Sequence, residues 1–357
     1  MLSGWLIIDK PEGMTSTRVG TSIKRALGKC KLGHIGTLDP MATGVLVVAI
    51  GEATKLIPYV TKSVPSPTSP DEGTCLQSFH APTSPDEGTC LQKEYTFCVK
   101  FGQATDSYDA DGSVTDTTQH LPTSLQLIHV CKSMLGPQDQ RPPCYSAIKH
   151  NGRRLCDLAR KGQTTLAPIR QIHVYELEPT LLPDESEGVV DRACFRAVVS
   201  GGTYIRSIAH DLAIKAHSLG HVVQLRRTRD GQFNITQAIT LEKVLNLAHK
   251  GYIGECIVPI GAVLGDIPAV SVSEQEWKDV LCGRTFPIAS ANKAASNEAT
   301  PGEAVPNKGE PSEAVPNKGE PNEAVQGIVQ VLYNGTLIAM GHVTDGVCFP
   351  RRVLHPE

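Results

Sequence analysis

Apolar residues along this chain repeat with two periods, about 2 and about 3.6 residues, and the switches between them mark out the secondary structure. Trp5–Asp9 (WLIID) is a short apolar run closed by the turn residues Lys10-Pro11-Glu12-Gly13, which predicts a strand. Val19, Ile23, Ala26 and Leu27 share one helical face, predicting a helix over Thr17–Leu27 with Ser16 as its cap and Gly28 as its stop. Gly44–Ile50 (GVLVVAI) is apolar throughout, as a strand buried on both faces is. Tyr95–Phe101 alternates and reads as a strand, Asp106–Gly112 has turn chemistry, and Leu125–Leu135 reads as a helix. Farther on, Ile172–Leu177, Ala193–Ser200 and the short Val222–Leu225 are predicted strands. Thr203–Ala216, after the Gly201-Gly202 pivot, and Leu241–Ala248 are predicted helices. Composition changes over Ile260–Pro268, which places a domain boundary there; beyond it Val329–Leu332, Leu337–Met340 and Gly346–Phe349 predict a small β module. Strands dominate without alternating strictly with helices, so the expected class is α+β and not a doubly wound sheet.

Two segments break this pattern. PTSPDEGTCLQ at 67–77 recurs unchanged at 82–92, and EAVPNKGEP at 303–311 recurs at 313–321. Two copies of a Pro-rich polar unit have no apolar face to stack, so 63–92 and 290–326 are expected to be flexible surface inserts. They also distort the charge: the 357 residues carry a net −3, and without the two inserts the body is +4. A mildly basic body permits nucleic-acid binding without requiring it. With 40% hydrophobic and 20% charged residues, wholesale disorder is excluded, and the length suits about two domains of ~150 residues. No run approaches the ~18 apolar residues of a membrane span, and Met1–Lys10 does not resemble a secretory signal, so the cytoplasm is the expected compartment. The 11 cysteines are odd in number, scattered and without a C-x-x-C pair, which fits reduced thiols better than a disulfide framework or a zinc site. The 12 histidines form no H-E-x-x-H and no His/Cys cluster, so no metal is expected.

Candidate chemistry concentrates in two places. Gly33-His34-Ile35-Gly36-Thr37-Leu38-Asp39-Pro40 makes a tight bend that runs straight into the apolar strand at Gly44, so Asp39 is an acid on a constrained loop held against a rigid element. The residues alone leave two readings open, a functional carboxylate and a turn Asp bonding its own backbone. His34 by itself reads as a structural histidine. In Gly201-Gly202-Thr203-Tyr204-Ile205-Arg206-Ser207, Tyr204 and Arg206 project from a helix start. An arginine beside an aspartate keeps it ionised and aims it, and a tyrosine offers a flat face and a transferable proton. Small basic groups (Lys24/Arg25, Arg153/Arg154, Arg226/Arg227/Arg229, Arg351/Arg352) interleave with aromatics, as in RNA readers, although each alone reads as a solvated face. The P-loop, dinucleotide and nucleophile-elbow signatures are absent.

Five stretches in order, IIDKPEGMTS at 7–16, GHIGTLDPMATGVL at 33–46, KEYTF at 93–97, YSAIKHNGRRLCDLAR at 145–160 and GGTYIRSIAHDL at 201–212, resemble the bacterial tRNA pseudouridine-55 synthases, the TruB family. The resemblance covers Leu2 to about Leu264, and less specifically a tail similar to that family's small PUA-like RNA-binding module. It implies a catalytic domain over 1–264, a PUA-like module over 265–357, and a mixed, mostly antiparallel sheet with flanking helices. It implies isomerisation of uridine 55 in the T-loop of tRNA to pseudouridine, with no metal or organic cofactor, by a monomer that binds the T-loop and acceptor region without an obligate protein partner. Asp39 then matches the catalytic aspartate, Arg206 the arginine that pairs with it, and Tyr204 the active-site tyrosine. Tyr95 matches the residue that stacks on the target base, Leu225 a pocket leucine, and His34 a histidine that accommodates the flipped nucleotide. Lys10 and Pro11 match a motif that chiefly supports the catalytic loop; Lys10 is also counted among the substrate-binding residues. Thr37 departs from the frequent alanine, and the 63–92 insert must loop away from the cleft for Tyr95 to keep its place.

Overall fold

The computed structural model describes residues 2–60, 92–146, 148–150, 153–159, 161–163, 167–181, 188–265, 267–288 and 326–355. The expectations for the two repeat inserts fall outside these residues, except at Gln92 and Gln326. The chain divides into two compact units, the first ending at Pro259 and the second beginning at Ile260.

In the first unit, Gly4–Lys10 forms strand β1, buried along its whole length but for Asp9. Helix α1 (Ser16–Leu27) follows, and its cap corrects the expectation: Thr15, not Ser16, accepts the Arg18 amide, at 3.1 Å. Ser16 is buried one residue inside the helix, with its hydroxyl engaged elsewhere. Strand β2 (Leu32–Ile35) lies inside the GHIG motif and leads through a loop into β3 (Thr43–Ile50) and a short helix, α2 (Ile57–Val60). After β4 (Lys93–Phe101), the hairpin β5 (Gln103–Thr105) and β6 (Val114–Thr117) encloses the acidic turn. Helix α3 (Ser124–Ser133) begins with a Thr123/Gln126 capping box.

Strand β7 (Gly136–Gln140) has no apolar residue, so periodicity gave no sign of it; it lies at the sheet edge beside β10. Two-residue strands β8 (Lys149–His150) and β9 (Arg153–Arg154) pair with each other ahead of α4 (Leu155–Ala159). Then come β10 (Arg170–Leu181), β11 (Arg192–Val199), α5 (Ile205–Lys215), β12 (Gly220–Asp230), β13 (Phe233–Asn234), β14 (Ile239–Thr240) and α6 (Leu241–His249). Strand β12 is far longer than the Val222–Leu225 expected, because its second half is charged.

These strands form one ten-stranded sheet in the order β14-β1-β3-β12-β4-β11-β10-β7, with β2 added to β3 and β13 to β12. Only β1–β14 and β3–β12 run parallel, so the sheet is mixed and mostly antiparallel, and the fold is α+β with flanking helices. Val19 and Ile23 of α1, Leu127 of α3, Ile208 and Leu212 of α5 and Val244 of α6 share one core with Leu6, Leu46, Phe97 and Phe195 of the sheet. Burying such side chains contributes roughly 1.5–3 kcal/mol each. One cysteine expectation fails: Cys98 and Cys194 face each other directly across β4 and β11 and form a disulfide. Their 96-residue separation hides in the sequence what the strand register brings together.

The second unit is a β module. Strands β15 (Ala269–Ser271), β16 (Phe286–Pro287), β17 (Gly327–Tyr333), β18 (Thr336–Thr344) and β19 (Val347–Val353) order as β15-β17-β18-β19-β16, with helix α7 (Glu274–Leu281) between β15 and β16 in the chain. The hairpins turn on Asn334-Gly335 and Asp345-Gly346, all four with positive φ, the conformation that matches strand twist. Val280, Phe286, Val329, Val331, Ile338 and Val343 fill its core.

Candidate active site

The loop between β2 and β3 is held from four sides. Gly36 has φ +61°, and a Cβ there would come within 2.6 Å of Lys93 Nζ and 2.7 Å of Asp230 Oδ2, so the backbone can lie against this buried ion cluster only without a side chain. Gly44 has φ +98°, with the Arg227 carbonyl oxygen 2.1 Å from where a Cβ would stand. Arg227, 1% exposed, donates from Nη2 to the Gly36 carbonyl at 2.7 Å and from Nε to the Val45 carbonyl at 2.8 Å, while Nη1 lies 3.2 Å from Asp230 Oδ2. The Ser16 hydroxyl accepts the Leu38 N–H at 2.9 Å and donates to the Leu38 carbonyl at 3.2 Å, which ties the loop to α1. Lys10 is fully buried, and its ammonium donates to the carbonyls of Pro11 (2.8 Å), Met14 (2.6 Å) and Pro40 (3.1 Å). Burial pulls the Lys10 ammonium down to about 8, against the pull of Asp39. With its protons on carbonyls and no exposed surface, Lys10 supports the loop and has nothing to offer a substrate directly.

This support places Asp39 opposite the first turn of α5. Arg206 Nη2 donates to Asp39 Oδ1 at 3.0 Å, and Nε lies 2.9 Å from Oδ2 without its N–H aimed at that oxygen. Arg206 is 3% exposed, whereas 33% of the Asp39 side chain is open, so the pair is a buried cation holding a partly exposed carboxylate. The other side of the guanidinium is equally engaged: Nη1 donates to the Ser107 carbonyl at 2.8 Å and lies 3.1 Å from Asp109 Oδ2, and Nη2 also donates to the Tyr145 carbonyl at 2.9 Å. Burial pushes the Asp39 carboxyl above the ordinary carboxylate range; Arg206 pulls it back in part, and Asp109 pushes it the same way as burial.

Tyr204 precedes α5 with its backbone clasped by Gln140, whose side chain accepts the Tyr204 N–H at 2.8 Å and donates to the Tyr204 carbonyl at 3.1 Å. Burial raises its phenol above the usual value, with Asp39 close enough to push the same way, so the hydroxyl is a neutral donor at physiological pH. Tyr95 and Leu225 stand on β4 and β12 as diagonal neighbours, since Tyr95 pairs with Arg227 and Leu225 with Phe97. Both are 7% exposed and belong to the main core, so each shows only an edge to the surface. A recess along the sheet is lined by Met41, Thr43, Cys194, Gln224, Leu225 and Arg226, without Asp39. His34 is on β2, with Nε2 3.4 Å from the Thr37 hydroxyl. Burial, and then the charge of Arg227, hold its imidazole below the usual value, so it is neutral. Among the described residues no group of His, Cys, Asp and Glu is arranged to hold a metal ion.

Four supporting residues escaped sequence reasoning. Asp109 looked like one more turn acid, yet it is the second carboxylate on Arg206. Arg227 looked like part of a solvated basic run, yet it is among the most buried side chains. Ser16 looked like a cap, and Gln140 carried no signal at all.

Similarity to known proteins identifies the family. The model of the TruB family pseudouridylate synthase N-terminal domain matches residues 24–65 and 88–205, and that of the tRNA pseudouridylate synthase B C-terminal domain matches 206–265. The chain is 41% identical to tRNA pseudouridine synthase B of Zymomonas mobilis over 79% of its length and 84% of the relative. It is 35% identical to that of Rhodospirillum rubrum over 99% of its length and 97% of the relative. In fold it is similar to a chain of an H/ACA RNP bound to a substrate RNA containing 2′-deoxyuridine, with TM-score 0.62 and 21% identity over 99% of this chain and 85% of that one. The chain belongs to the TruB family of pseudouridylate synthases, and it is an isomerase.

Proposed function

We propose that this enzyme isomerises uridine 55 in the T-loop of tRNA to pseudouridine, with Asp39 as the catalytic carboxylate. The observation that carries the reading is the one-third-open Asp39 carboxylate clamped by an almost fully buried Arg206. The tRNA substrate is supported by the names of relatives that align over most of this chain.

The reaction breaks N1–C1′, turns the base, and joins C5 to C1′; N1 gains a proton and C5 loses one, with no net uptake of water. An anionic carboxylate serves either as a nucleophile at C1′ or as the acceptor of a ribose proton, and both roles need it ionised and aimed. Arg206 does the aiming, and Asp109 with the Ser107 carbonyl keeps Arg206 from turning away. Tyr204 handles the proton at the base or ribose, and its neutral phenol suits that role. The target base must leave its stack, and Tyr95 and Leu225 form the apolar wall it meets. His34 lines the entry beside Thr37, and Lys10 acts through the loop. Stacking worth roughly 1–3 kcal/mol per base offsets part of the unstacking. The β module grips the acceptor region as a PUA-like domain, so that residues 1–264 carry the chemistry and 265–357 add affinity. The enzyme works as a monomer in the cytoplasm; no helix among the described residues is long and apolar enough to cross a membrane.

The test is chemical mapping of pseudouridine in tRNA and in a T-loop stem-loop after incubation with the full chain. Modification at position 55 by wild type, and none by Asp39→Asn at equal RNA occupancy, is the expected result. Full modification by Asp39→Asn, or none by wild type, overturns the reading.

A further inference from the structure

Tyr108 is one of four non-glycine residues with positive φ among the described residues, at 62°. It sits in the acidic turn between β5 and β6, between the two residues that hold Arg206 from behind. On one side is Ser107, whose carbonyl accepts from Arg206 Nη1 at 2.8 Å; on the other is Asp109, whose Oδ2 lies 3.1 Å from the same nitrogen. The left-handed kink at Tyr108 is what turns both acceptors toward one guanidinium.

The turn is well braced around that kink. Thr105 donates its hydroxyl to the Asp109 carbonyl at 2.7 Å, Ser107 donates to Asp109 Oδ1 at 2.5 Å, and the Val222 amide of β12 donates to the Tyr108 carbonyl at 3.0 Å. None of these bonds links the turn to α5. Besides the Arg206 contacts, the structure provides an aromatic link: the Tyr108 ring stacks on His210 with centroids 4.1 Å apart and planes at 10°. His210 is four residues after Arg206 on α5, so it lies on the same helical face one turn further along. Both rings are half-buried, neither belongs to the hydrophobic core, and His210 Nδ1 is buried without a hydrogen-bond partner. The imidazole is therefore placed by its stack and not by a bond at that nitrogen.

We propose that the Tyr108–His210 stack is a positioning element for catalysis: it seats the acidic turn on α5 and so fixes the two acceptors that aim Arg206 at Asp39. It touches no substrate, and it rests on the reading of Asp39 and Arg206 given above. A reactive group displaced by about 1 Å can lose about 10²-fold in rate, so a loosened turn has a measurable kinetic effect.

The experiment uses the full chain with a T-loop stem-loop RNA and measures single-turnover pseudouridine formation, RNA affinity and melting temperature. Tyr108→Gly keeps the left-handed backbone and deletes the ring; His210→Ala deletes the other ring. Each is expected to slow the single-turnover rate about tenfold or more, with RNA affinity within about twofold, and the double variant is expected to be no slower than the slower single. Tyr108→Phe and His210→Phe, which keep two stacked rings, are expected to restore the rate. Full-rate turnover by Tyr108→Gly and His210→Ala overturns the proposal, whatever their melting temperatures, and so do additive losses in the double variant. If Tyr108→Gly fails to fold, the His210→Ala and His210→Phe pair decides by the same criteria. An inactive wild type sinks the reading of the site instead, which keeps the two failures apart.

Discussion

Two buried arginines flank the same loop and do opposite things. Arg227, on β12, gives its donors to the Gly36 and Val45 carbonyls and to Asp230, so its charge is consumed in building the bend. Arg206, on α5, points at a carboxylate that remains one-third open and whose pKa is pushed up by burial. Their burial is almost equal, 1% against 3%. Each also pairs with a carboxylate, and what separates scaffold from site is the exposure of that carboxylate: Asp230 beside Arg227 is 7% exposed, whereas Asp39 beside Arg206 keeps oxygen and charge available for a ligand. Substitution of Asp39 should remove activity and spare the fold; substitution of Arg227 should weaken the fold.

The largest expected effect is that of Asp39→Asn, a loss of turnover of about 10³-fold or more with RNA affinity nearly unchanged, read by single-turnover kinetics. Its melting temperature should hold or rise. The folded state binds the Asp39 proton more tightly than the unfolded chain, so the ionised carboxylate opposes folding at neutral pH. Acidification from neutrality down through that raised pKa should accordingly narrow the difference in melting temperature between Asp39→Asn and wild type while it extinguishes wild-type activity, which a pH series of melts and rates on both proteins can show together.

Next in size, Arg227→Met should lose about 3–5 kcal/mol of stability, seen as a lowered denaturant midpoint, because it leaves Asp230 and two carbonyls short of a donor. Asp109→Asn should slow turnover by about 10–100-fold without weakening RNA binding, since Arg206 loses one of its anchors. It should also move the acid limb of the rate profile to lower pH, because a like charge beside Asp39 has gone. The smallest effect belongs to Arg196, which reaches Glu94, Glu176 and Glu178 on the outer face of the sheet. Its partners there are exposed by as much as 60%, and Arg196→Ala should change stability by no more than about 1 kcal/mol and leave turnover alone. A large kinetic effect there would mean that the two faces of the sheet are coupled.

The parts of this molecule legible in the sequence were those where one physical signal dominates. The runs WLIID and GVLVVAI could only be buried strands, and the faces of α1, α5 and α6 carried their own period. Asp39, Tyr204 and Arg206 were found because glycines and a proline frame them and because the motifs resemble a known family. What stayed hidden depends on contacts between distant segments. Nothing local distinguishes Asp109 from its neighbours Asp106 and Asp111; only the arrival of Arg206 does. Charged residues in the second half of β12 disguised a strand, since Arg227 and Asp230 neutralise one another inside the protein. The Cys98–Cys194 pair is a matter of register between β4 and β11, and Ser16 gave up the cap to Thr15 in order to hold Leu38.

The clamps on the bend also carry a schedule. The Asp39–Arg206 bond spans 167 residues and the Gly36–Arg227 bond 191, so a chain leaving the ribosome has made its aspartate long before it has made what aims it. At roughly 5–20 residues per second, that interval is about 10–40 s. Throughout it the nascent enzyme can meet its RNA but has no means of acting on it, and competence arrives in one late step with the emergence of β12.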